Sequence, residues 1–228
     1  MDLFGLLHFG TLASITLSGG LLITAQKQGH RWPLALLAFL NLAAYSYNQA
    51  VYNTLNYKIS LDNILPFHLC DIAAFLAGIA LITRHALACE LTYCWGLAGT
   101  LQALITPNLS AAFPEPLFFS FFIHHGVIVI TALFLPLALN WRPRAGTWPR
   151  VLLWNQAYFI FALLVNFLTG TNFGFLLEKP HEASALDHLG PWPLYLLWLQ
   201  LIAALLMGLL LLPFSRSINV WRFGGSKV

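Results

Sequence analysis

His68, Cys70 and Asp71 bring an imidazole, a thiol and a carboxylate into one short stretch at the head of an apolar segment, Ile64 to about Thr83. Ionisable groups inside a membrane-spanning segment are costly, and function is the first reading for them. A thiol becomes a nucleophile when a neighbouring base or positive charge favours its thiolate. The same nitrogen, sulfur and oxygen donors also suit zinc. Against both stands plain packing, because a free cysteine is commonly buried and inert. On a helix His68 and Asp71, three apart, share a face. Cys70 lies about 200° round from His68, so a histidine from another helix would serve it better. His124 and His125 are the candidates, and only one of two adjacent residues can point squarely at the thiol. Without such a role they would act as polar glue between helices. No pair among these residues has a standard metal-ligand spacing, and a site without metal is expected. Cys89 and Cys94 have no such neighbours and are read as packing.

The elements that hold these residues must cross a lipid bilayer. Of 228 residues, 59% are hydrophobic and 8% charged, against about 25% charged in a soluble domain. An all-α, polytopic membrane protein follows, with one integral membrane domain over 1–228. About 20 apolar residues span a bilayer. Seven such segments are expected, at about 5–25, 33–52, 64–83, 87–105, 117–139, 150–169 and 192–213. The first lacks a basic leader and reads as a retained helix. The three cysteines lie in apolar segments, which argues against a disulfide framework. The net charge of +3 is scattered and forms no nucleic-acid-binding patch.

Basic residues favour cytoplasmic loops. Lys27, Arg31, Arg84, Arg142, Arg144, Arg150, Arg216, Arg222 and Lys227 fall in alternate connectors, while Lys58 and Lys179 fall in the others. This division supports seven spans, with the N-terminus outside and the C-terminus cytoplasmic. Trp141, Trp148, Trp192 and Trp221 stand at span ends, as interfacial anchors do. In this topology the polar residues collect in the outer half: His8, Asn48, Gln102, Asn108, Asn166 and Asn172 join the His, Cys and Asp groups. The inner half has little beyond Cys89 and Glu90. Buried polar groups need partners, so one outward-facing pocket is expected. The 169–174 stretch, TGTNFG, is either a helix cap and turn or a loop folded back over that pocket.

At these residues the chain resembles the YwaF-type bacterial integral membrane proteins and their relatives, the eukaryotic transmembrane-protein-164 acyltransferases. The likeness rests on 65–71 (LPFHLCD), 95–108 (WGLAGTLQALITPN), His125–Gly126, 166–172 (NFLTGTN) running on to 178–180 (EKP), and 186–195 (LDHLGPWPLY). It implies transfer of a fatty acyl group between phospholipids, through a Cys and a His that match Cys70 and His125. The expected protein is thus a lipid acyltransferase or acyl hydrolase of the bacterial cytoplasmic membrane. Cys70 would be the nucleophile and His125 the base, with His68, Asp71 and His124 assisting. Asn48, Gln102 and Asn172 would serve as oxyanion donors, and Asn108 and Asn166 would line the lipid site. The chemistry needs no cofactor. The competing reading is a carrier or sensor that binds a small polar ligand or lipid in the same pocket.

Overall fold

The computed structural model describes residues 4–54, 60–109, 111–181 and 184–215, and among them there is helix but no strand. Lys58, Arg216, Trp221, Arg222 and Lys227 lie outside the described residues. The helices are α1 (Leu6–Lys27), α2 (Trp32–Thr54), α3 (Leu61–Ile64), α4 (Leu69–Thr83), α5 (Ala86–Trp95), α6 (Leu101–Ile105), α7 (Pro116–Ala138), α8 (Thr147–Thr169) and α9 (Leu194–Leu211). A π-helical turn, Gly96–Thr100, joins α5 to α6 in one continuous rod.

By length and composition five helical stretches can cross a membrane: 6–27, 61–83, 116–138, 147–169 and 194–214. The other two expected spans are also helical rods. One is α2, whose Asn41, Tyr45, Asn48, Gln49, Tyr52 and Asn53 dilute its apolar character. The other, 86–105, is divided by the π turn rather than running as the single helix expected.

The sequence explains most boundaries. Pro116 opens α7 at a position where its missing N–H costs nothing. Pro149 lies in the first turn of α8 for the same reason, so that helix starts at Thr147 rather than at 150. Gly170 closes α8 in the left-handed conformation (φ 69°). Pro66 corrects the expected start of the third span. It cannot donate a helical hydrogen bond, Leu65 ahead of it is extended, and the helix resumes only at Leu69. His68 is therefore the extended residue that precedes α4, not a first-turn residue sharing a face with Asp71.

α7 is the central post. It packs against α1, α2, α4, α5, α6 and the π turn, and 78% of its apolar window is buried, against 11% for α1, 22% for α8 and 17% for the last helix. The outer helices expose Leu17, Leu21, Leu168 and Leu197. Apolar surface on this scale suits lipid rather than water. Gly96 brings the π turn against α7, because a Cβ there would lie 2.9 Å from the Ala132 Cβ. Gly96→Ala is expected to cost about 1–3 kcal/mol through overpacking, read as thermal unfolding in detergent. Unchanged stability would refute that close approach.

Polar ties fasten both ends of the bundle. Near the α1 N-terminus, buried His8 accepts a hydrogen bond from the Phe4 N–H at Nδ1 (3.1 Å), so its Nε2–H donates to the Leu104 carbonyl at 2.8 Å. At the opposite end Glu90 of α5 is fully buried. It accepts from Arg144 Nε and Nη2 at 2.9 and 3.0 Å, from Arg150 Nη1 at 2.9 and 3.0 Å, and from Thr147 Oγ1 at 2.8 Å. These bonds hold the Arg144 guanidinium above its usual pKa.

Candidate functional site

The site forms where α4 begins. The break at Pro66 leaves the Phe67 carbonyl without a helical donor, and Tyr158 of α8 donates its hydroxyl there at 3.2 Å. α4 then starts on the His68 carbonyl, which accepts from the N–H groups of Asp71 (3.0 Å) and Ile72 (3.2 Å). Cys70 is half-buried and a free thiol. It packs against a core cluster that includes Ala73, Trp95 and Phe122, and Thr100 of the π turn is its polar side-chain neighbour. Gly99 makes that approach possible, since a Cβ there would meet Leu69 at 3.0 Å.

Asp71 and His124 face each other across α4 and α7. The carboxylate Oδ1 lies 3.7 Å from His124 Nε2, with side chains 10% and 5% exposed. His124 Nε2 is buried without a hydrogen bond, and its ring neighbours the Cys70 backbone. His125 is oriented differently. Its Nδ1 is 2.8 Å from the Phe121 carbonyl one turn back on its own helix. A carbonyl only accepts, so Nδ1 carries the proton and the neutral ring keeps its lone pair on Nε2. The ring stacks on Phe121 with centroids 4.2 Å apart and lies 5.2 Å from that of His124. Among the described residues, no hydrogen bond joins Cys70 Sγ to either histidine, and no three His, Cys, Asp or Glu side chains are arranged to hold a metal ion. The space beside Gly126 is filled by Ile15 of α1, 3.2 Å from where a Cβ would stand.

His68 turns away from Asp71 toward the segment after α8. Its Nδ1 accepts the Gly174 N–H at 3.5 Å, and its ring lies 5.2 and 6.0 Å from those of Phe173 and Phe175. That segment folds back onto the start of α4, as one of its two sequence readings had it. Asn166 and Asn172 build it. Buried Asn166 donates to the Phe173 carbonyl (2.9 Å) and accepts from Thr171 Oγ1 (3.0 Å) and the Phe173 N–H (2.7 Å). Asn172 donates to the Glu178 carbonyl (2.9 Å), accepts from the N–H groups of Leu177 (3.0 Å) and Glu178 (3.2 Å), and gives its own N–H to Asp62 (2.6 Å). Both amides are therefore committed to the loop.

The remaining predicted residues lie apart from the thiol's immediate surroundings. Asn48 accepts from Ser120 Oγ at 2.7 Å, tying α2 to α7, while Gln102 and Asn108 are exposed. Tyr158, Trp95 and Thr100 were missed as site residues. Tyr158 lies among apolar residues in α8 and only the break at Pro66 gives it a partner. Trp95 and Thr100 flank a GLAG run, and the glycines alone hint that another backbone comes close there.

The sequence model of the TMEM164 family matches residues 3–211. No curated protein matches the chain. No solved structure matches it either. The matched stretch takes in helices α1 to α9 and the Cys, His and Asp groups gathered at the head of α4: the chain belongs to the TMEM164 family of membrane proteins.

Proposed function

We propose that this protein is a lipid acyltransferase or acyl hydrolase working through a thioester on Cys70. The observation that supports the reading is His125 of α7, which holds its Nδ1 proton on Phe121 and keeps Nε2 as a base, next in sequence to the His124 that faces Asp71 one residue after the Cys70 thiol. His125 Nε2 takes the Cys70 proton, and the thiolate attacks the carbonyl carbon of a glycerolipid ester. Collapse of the tetrahedral adduct breaks the ester C–O bond. The departing alkoxide takes the proton back from His125, leaving a thioester and a lysolipid. A second lysolipid hydroxyl, or water, gives its proton to His125 and attacks the thioester, which restores the thiol. Asp71 and His124 form a polar wall that holds the start of α4 in place. The remaining expectations are part of the same proposal: seven crossings, the N-terminus outside, the C-terminus cytoplasmic, and residence in a bacterial cytoplasmic membrane with phospholipid as substrate. The alternation of basic connectors supports that orientation. The Glu90–Arg144–Arg150 cluster, tying α5 to α8, speaks for a closed inner end and against a carrier.

Peptide mass spectrometry after incubation with mixed phospholipids tests this. A hydroxylamine-sensitive acyl group is expected on Cys70. His125→Gln should slow its formation about 10²–10⁴-fold, the ordinary range for a general base, and His124→Gln should slow it less. The reverse order would move the base to His124. Folded protein with no adduct and no lipid turnover would reject the enzyme in favour of a carrier or sensor.

A further inference from the structure

Of the three buried polar atoms on the α5–α6 rod that find no hydrogen-bond partner among the described residues, Thr92 Oγ1, Trp95 Nε1 and Thr100 Oγ1, the last two bound the stretch that packs on α4. Both residues are buried, at 3% and 0% exposure. An unpaired buried donor is costly, and a native structure that keeps one has a use for it. Several hydroxyls in this bundle bond the carbonyl four residues back, as Thr11, Ser14, Thr16, Thr24 and Thr83 do at 2.8 Å, whereas the buried Thr92 and Thr100 do not. Thr100 stands in the π turn, where the ladder runs five residues back, as from the Leu101 N–H to the Gly96 carbonyl. Five-residue spacing stacks Trp95 and Thr100 along one side of the rod, whereas an α-helix would rotate them apart. That side meets the start of α4. Thr100 neighbours the Cys70 thiol, whose sulfur is only a weak acceptor for its hydroxyl. The Trp95 ring lies 6.0 Å from that of Tyr158, whose hydroxyl is fixed on Phe67. Gly99, with its missing Cβ, lets Leu69 of α4 approach the rod here.

We infer that the Thr100 hydroxyl and the Trp95 indole N–H receive the carbonyl oxygen of the acyl ester that Cys70 attacks. This rests on the covalent reading above and names the part of the substrate these donors recognise. As sulfur bonds to the carbonyl carbon, the C=O pair moves onto oxygen. The O–H and N–H donate to that oxyanion until the pair returns and the glycerolipid oxygen leaves with the proton held by His125. Preorganised donors that are buried and unpaired beforehand need little rearrangement to act in this way. They replace Asn172, whose amide is committed to its own loop.

The test is the single-turnover rate of Cys70 acylation by intact-protein mass spectrometry, with full-length protein in nanodiscs and phosphatidylethanolamine or phosphatidylglycerol as acyl donor. Thr100→Val and Trp95→Phe remove one donor each while keeping the shape. Each is expected to slow acylation about 10²-fold, as loss of one oxyanion donor does, with KM for lipid nearly unchanged. Thr100→Ser should recover most of the rate, which a purely structural role would not require. If Thr100→Val unfolds, Thr100→Ala and Trp95→Phe probe the same two groups. Acylation at the wild-type rate in the folded donor variants overturns the pair and leaves the thioester intact. If wild-type Cys70 takes no acyl group, the covalent reading falls first and the pair falls with it.

Discussion

Cys70→Ala protein should form no acyl adduct and lose lipid acyl turnover by at least about 10⁴-fold, the order seen when a covalent nucleophile is deleted. The protein should stay folded, because Cys70 is only half-buried and alanine is a good helix former at the start of α4. Cys70→Ser separates chemistry from packing. Serine keeps nearly the same size, but its hydroxyl is a much weaker nucleophile here than a thiolate. An enzyme should therefore lose nearly as much with serine as with alanine. A carrier using the same pocket should keep most of its ligand binding with serine. Serine protein that turns over lipid within about tenfold of wild type, the loss typical of a secondary contact rather than of a nucleophile, would end the thioester mechanism.

The largest loss of stability is expected from Arg144→Ala combined with Arg150→Ala. Together they strip Glu90, which is fully buried, of four hydrogen bonds and leave Thr147 as its side-chain donor. A buried charge left without its partner costs about 3–5 kcal/mol. Glu90→Ala should cost less, because the two arginine side chains are 50% and 30% exposed and can turn to water. Arg144→Ala alone should cost least, since Arg150 remains and a half-exposed pair is worth little. Thermal unfolding in detergent gives the ranking. A double variant as stable as either single one would show that the cluster does not hold this end of the bundle.

Apolar runs made the helical rods legible in rough position, because a bilayer imposes length and hydrophobicity on every span, but not the starts of α4 and α8 or the π turn between α5 and α6. Chemistry at the head of α4 was legible in type, since His, Cys and Asp are expensive there. Its geometry was not. Pro66 displaced His68 onto the segment after α8, an effect of one missing N–H that helical spacing ignores. The π turn is set by the fit of Gly96 to Ala132 and Gly99 to Leu69, and no periodicity in a single strand of sequence reports such a fit. Asn166 and Asn172 suited ligand binding by type, yet loop closure took both amide oxygens and one N–H of each amide. Glu90 stood out as an inner-half charge, but its partners came from a connector read only for its sign.

The Glu90 cluster also bears on the order in which the chain is made. Its carboxylate leaves the ribosome 54 residues ahead of Arg144 and 60 ahead of Arg150. Through the synthesis of α6 and α7 the α5 segment thus carries an unneutralised acid that disfavours settling in lipid. The entry to α8 supplies both guanidinium groups within six residues of chain, the difference between 60 and 54, so burial of Glu90 waits on the chain that follows α7.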